Sequence, residues 1–209
     1  RPSLRPILFK PRIIDMLAIK MEAGVNVDTS GWVGESDLIQ WYWETDVQKA
    51  PDGTARSAFL QKLAERQADR SEPETPESVF APADLTVAEG LKGDRICRVI
   101  DGCLSFDHDI IGDWARQRVL LSHREKIREF IQGRLMLPVW HRAIRLCGLH
   151  YLERERDLTV WQEILGSLGD RTAEDIFLES VVFAADPRLI LERMWSFLSV
   201  TGGTFLRRL

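Results

Sequence analysis

The chain has 209 residues, 44% of them hydrophobic and 29% charged, which is enough apolar material for a sizeable core in one or two compact units. The formal net charge of −4 supplies no general basic field, so gripping a nucleic-acid backbone is not expected. No apolar run approaches the roughly 20 residues of a membrane span, and no signal-peptide pattern is visible, so the expected setting is cytoplasmic with no membrane contact.

Residues 4–22 begin with a proline-punctuated stretch and pass into a helix. Ile13, Ile14, Leu17 and Ala18 fall on one face of it, and Pro11 sits near its first turn, where a missing N–H costs little. Residues 23–35 carry Gly24, Gly31 and Gly34 among polar side chains and read as a loop. Ser36 is positioned to cap the next helix, in which Leu38, Ile39, Trp41, Tyr42 and Val47 recur at helical spacing. The aromatic cluster Trp41-Tyr42-Trp43 has no interleaved basic residues, so packing is expected rather than base stacking. After a Pro51-Asp52-Gly53 turn, a helix over 54–70 is expected to bury Ala55, Phe59, Leu60, Leu63 and Ala64. Residues 71–82 hold three prolines and three glutamates and read as an exposed linker, with Val79 and Phe80 docked on the core. A short helix over 83–92 follows.

Ile96–Ile100 and Cys103–Phe106 are short β-branched and apolar runs separated by Asp101-Gly102, a strong hairpin signal because glycine tolerates the positive φ of a tight turn. Cys97 and Cys103 flank that turn and could face each other across it. Beyond Phe106 the period becomes helical through Ile110, Ile111, Trp114, Ala115, Val119 and Leu120, with Asp107 or Asp109 as the expected cap. From Leu121 onward everything reads as helix. Ser122 with Glu125 and Thr172 with Asp175 match capping boxes, while Pro138, Thr159 and Pro187 mark further helix starts. Helices of 8 to 18 residues joined by short turns suggest a stacked array, HEAT-like or TPR-like in architecture only. The expected fold is therefore mainly α: a winged-helix domain with one short β-hairpin, then an α-helical repeat-like array.

The pattern Phe106-x-His108-Asp109, followed by an amphipathic helix carrying Trp114, resembles the winged-helix domain of STAND NTPases. That family includes the NACHT-type immune ATPases and their bacterial antiviral relatives. The resemblance covers about residues 4–121 by motif and the rest by architecture. It implies that residues 1–35 end a helical lid, 36–121 form the winged-helix domain and 122–209 start the helical repeats. It implies that His108 reaches the terminal phosphate of bound ADP and helps hold an off state. Pro11, with Pro6 second, is implied to pack on the adenine. ADP or ATP with Mg²⁺ would belong to the parent protein's ATPase core. A protein ligand would bind the repeats, and activation would lead to homo-oligomerisation in an antiviral signalling role. The chain begins at Arg1 and ends at Leu209 within an apparent helix, and is read as an excised fragment.

Chemistry within the chain itself is sparse. Gly31-Trp32-Val33-Gly34 lacks the Gly-Lys-Ser/Thr of a P-loop, so hydrolysis is not assigned here. Ser105 has no nucleophile-elbow frame. The three cysteines form no CxxC and read as small buried hydrophobes. Of four histidines, His141 and His150 point in different directions on one helix, His123 is expected in a solvated first turn, and only His108 stands at a junction between elements. Glu153-Arg154-Glu155-Arg156 reads as a solvated charged face. Two other functions fit the elements. A winged-helix transcription regulator could use Arg95 and Arg98, although Asp84 and Glu89 make its reading helix acidic. A helical protein-interaction scaffold would need only an apolar surface.

Overall fold

A computed structural model describes residues 11–22, 24–154 and 158–209. They form a mainly helical protein with one small antiparallel sheet. Helix α1 (Pro11–Glu22) starts on its proline. Its buried stripe is Ile13, Met16 and Leu17, while Ile14 and Ala18, expected on that face, are exposed. Pro6 lies outside the described residues. Helix α2 (Glu35–Tyr42) continues into a π turn, Trp43–Val47. Its cap position is Gly34, not Ser36, which is buried in the first turn. Within the π turn Thr45 Oγ1 donates to the Trp41 carbonyl at 2.8 Å, and the wider turn lets Tyr42, Trp43 and Val47 all enter the core.

Helix α3 (Gly53–Arg70) buries Phe59, Leu60, Leu63 and Ala64 as expected, but Arg56 takes the inward place given to Ala55 and pairs with Asp94. The glutamate-rich linker contains a third strand. Residues Thr75–Pro76 (β1) pair with β3 (Cys103–Phe106), which pairs with β2 (Cys97–Ile100), giving the sheet order β1-β3-β2. Pro76 has no N–H to donate and accordingly lies on an edge strand. Phe80 is buried with its ring 5.3 Å from Phe59, while Val79 is exposed. Helix α4 (Pro82–Gly93) leads into the hairpin, whose Asp101-Gly102 turn has φ of 51° and 73°, as a two-residue turn with both central residues left-handed requires. The register sets Cys97 against Phe106 and Cys103 against Ile100. An offset of that kind puts the two cysteines on opposite faces, so they do not meet across the turn. The helix, strand, short helix and hairpin together make the winged unit.

Helix α5 (Asp109–Ser122) has almost no free surface. Ile110 to Gln117, Val119 and Leu120 are all buried. It packs on α3 in the winged unit and on α7 (Val139–Arg154) in the helical array. Gly112 permits close approach to the sheet, since a Cβ there would lie 3.0 Å from the Phe106 ring. Trp114 is fully buried with its ring 5.2 Å from Tyr42, and burial of a side chain of that size contributes about 2–3 kcal/mol.

Four helices complete the array around α7: α6 (Ile127–Gln132), α8 (Thr159–Leu168), α9 (Arg171–Phe183) and α10 (Pro187–Gly203). Two expected capping boxes are not formed. Ser122 belongs to the end of α5 and donates to the Val119 carbonyl at 2.8 Å. Asp170, not Thr172, caps α9, its Oδ1 accepting from the N–H groups of Thr172 and Ala173 at 2.8 and 3.0 Å. A carboxylate answers the positive end of a helix better than a hydroxyl does. Helices α7 and α9 approach closely at Gly148, where a Cβ would collide with Ser180. One hydrophobic core runs without a break from Ile13 to Leu198, across positions 35/36 and 121/122.

Glu153 fixes the array to the winged unit. Rather than lying wholly on a solvated face, it is partly buried at the end of α7, while Arg154 beside it is exposed. Its Oε2 accepts from the Ser36 N–H at the start of α2, and its Oε1 accepts from the Ala185 N–H just before α10, both at 3.1 Å. Gly34 makes room for it, since any Cβ there would overlap the carboxylate. Burial raises its pKa above the usual carboxylate value, while the hydrogen bonds pull the other way. Beside it Arg154 pairs with Asp37 at 2.8 Å. Residues 155 and 156, the rest of that charged run, lie outside the described residues.

Candidate functional site

The corner between β3 and α5 is held by its backbone. The Asp107 N–H donates to the Ile96 carbonyl, and the His108 carbonyl accepts from the Ile111 N–H, each at 3.0 Å. His108 itself is the N-cap residue, in extended conformation, and its side chain makes no capping bond. The expected caps, Asp107 and Asp109, therefore do not hold that position. The His108 side chain is 39% exposed, with Nε2 3.7 Å from Asp107 Oδ2, beyond hydrogen-bond distance. The result is a ring with polar nitrogens open to solvent on a rigid backbone corner, able to donate to or accept from an incoming group. Among the described residues no three His, Cys, Asp or Glu side chains converge as a metal-holding group.

The other histidines serve the fold. His141 Nε2 lies 2.8 Å from the Leu135 carbonyl. His123, exposed as expected, follows the last turn of α5 and caps a 3-10 turn (Arg124–Lys126), with Nδ1 2.9 Å from the Val119 carbonyl and its ring 4.4 Å from Phe130. Burial, with Arg118 and Arg154 nearby, pushes the His150 pKa down to about 4. Burial drives the Cys97 and Cys147 thiols up to about 12, which leaves them inert as nucleophiles. Pro11 is exposed at the first turn of α1, and no hydrogen bond or ion pair among the described residues joins it to His108.

Next to the His108 corner opens a cleft of about 440 Å³. Its walls come from the end of α3, the segment before β1, the hairpin, α5 and the start of α7. Phe106 and Val139 give it apolar surface, and Asp109 lies on its wall while His108 does not. Arg98 reaches it from β2 with Nε donating to Ser105 Oγ at 3.1 Å, and no carboxylate lies within ion-pair distance of Arg98 among the described residues. Arg116 reaches it from α5. It is nearly buried, with Nη2 donating to Asp113 at 2.6 Å and Nε without a partner.

Sequence reasoning missed this cleft. Arg116 was hidden because it lies on the inward face of α5, at the i+3 position from Asp113. Arg98 was legible only as a wing cation, since its partner Ser105 is set by strand register. No helix among the described residues is long and apolar enough to cross a membrane. No family model, curated protein or solved structure matches this chain.

Proposed function

We propose that this chain is a regulatory and sensor segment of a STAND-type signalling ATPase. In this reading the winged unit gates activation and the helical array binds a protein ligand. ADP is held in the parent's ATPase core, and His108 donates a hydrogen bond to its terminal phosphate. The observation that carries the reading is the His108 ring, half-exposed and without a hydrogen bond on a corner whose backbone is fixed from both sides. Such a donor loses little order when an anion arrives. Exchange for ATP with Mg²⁺ removes that contact and frees the winged unit. Pro11, exposed on α1, is the residue available to an adenine ring.

The array supports the ligand-binding part. Val182 and Phe183 at the end of α9, and Leu189, Trp195 and Val200 on α10, are about half-exposed, as suits recognition of an apolar protein surface. The setting is cytoplasmic, and the output is ligand-induced homo-oligomerisation of the parent in antiviral signalling. The test is His108→Ala in the full-length protein. Retention of ADP on purification falls and basal activity rises. Unchanged ADP retention and unchanged basal activity overturn the role of His108.

A further inference from the structure

The cleft beside the corner is independent of the nucleotide reading, because His108 does not line it. We propose that this cleft binds a small zwitterion of the α-amino-acid type with an apolar side chain. Its walls offer three kinds of chemistry at once. Arg98 supplies a cation with no carboxylate partner among the described residues, oriented by its bond to Ser105. Arg116 supplies a second guanidinium, nearly buried and held in place by its ion pair with Asp113. A carboxylate is the ligand group that satisfies such donors with paired oxygens.

Glu72 and Glu74 line the same cleft from the exposed segment between α3 and β1. They suit an ammonium and oppose any second negative charge on the ligand. A phosphate ester or a nucleic-acid backbone meets that opposition. A simple amine meets Arg98 and Arg116. Only a ligand carrying one charge of each sign suits both sets of side chains. Phe106 and Val139 give its side chain an apolar wall, and the cleft volume falls in the range of small-molecule sites. Since the walls belong to α3, the hairpin, α5 and α7, an occupant joins the winged unit to the array and raises the thermal midpoint.

The experiment is isothermal titration of the 209-residue chain with phenylalanine, leucine and tryptophan, and with phenylacetate and phenethylamine, which each lack one charge of phenylalanine. At least one amino acid binds, and phenylacetate and phenethylamine bind about tenfold or more weakly than phenylalanine, the loss expected for one charge-assisted contact. Arg98→Gln lowers phenylalanine affinity about tenfold or more and does not lower phenethylamine affinity, since the cation that opposes the amine is gone. Thermal unfolding of the unliganded variant shifts by no more than a few degrees, since Arg98 is exposed and loses only its bond to Ser105. Three outcomes overturn the proposal. One is the absence of saturation by any of the three amino acids up to about 10 mM. The others are equal binding by an analogue with one charge missing, and unchanged phenylalanine affinity in a folded Arg98→Gln protein.

Discussion

Two helix starts carry the polar story of this molecule, and they are treated in opposite ways. At the start of α2 the N–H of Ser36 meets the partly buried carboxylate of Glu153, which reaches over from α7 and holds Ala185 with its other oxygen. At the start of α5 the backbone is just as firmly placed, but His108 extends a half-exposed ring that makes no hydrogen bond among the described residues. The protein completes one of these sites from within and leaves the other open. The completed site is architecture. The open one is where chemistry from outside can be received, and Arg98, with no ion-pair partner among the described residues, opens on the adjoining cleft.

Breaking the completed site has the largest expected effect. Glu153→Ala strips acceptors from the Ser36 and Ala185 N–H groups and lowers unfolding free energy by about 3 kcal/mol, read as a drop in urea midpoint. Gly34→Ala displaces the same carboxylate and costs about 2 kcal/mol. Because both changes abolish the same pair of bonds, the double variant falls well short of their sum, and full additivity would show that Gly34 and Glu153 act separately.

Acid sharpens the contrast. His150 has its pKa depressed from 6.5 to about 4, so its neutral form stabilises the fold above the unfolded value. That stability is lost as pH falls through the window between them, by about 2–3 kcal/mol when complete. Glu153 has the reverse sign. Its raised folded pKa gives stability that is present at low pH and lost as pH rises through that value. A net decline in urea midpoint on acidification from pH 6.5 to 4.5, flattened in His150→Gln, identifies His150 as the dominant group.

Smallest of all is His108→Ala, which changes unfolding free energy by no more than about 0.5 kcal/mol, since the ring supports nothing. A large loss of stability would move His108 from the open class into the completed one.

Sequence reading recovered the parts governed by local rules. Asp101-Gly102 fixed the hairpin, and apolar spacing located α3, α5 and α7. It placed His108 at a junction, which the structure bears out. Partners distant along the chain were not legible. Strand β1 sits among prolines and glutamates and exists only because β3 offers it an edge. Glu153 lies in an alternating charged run, and nothing nearby reveals that it bonds to residues 117 and 32 positions away. Helix starts slipped by one or two positions because Gly34 and Asp170 compete with neighbouring hydroxyls for the cap.

Helix α5 has a consequence for anyone who dissects this chain. It is an axle seated in two bearings, with α3 on one side and α7 on the other. Cutting after Leu121 leaves the axle with the upstream piece, stripped of one bearing, and leaves α7 with a bare apolar groove. Neither piece is then a self-sufficient module, and both are expected to clump when expressed apart. A tilt imposed at the His108 end of that axle has no slack to absorb it and must turn the array as well.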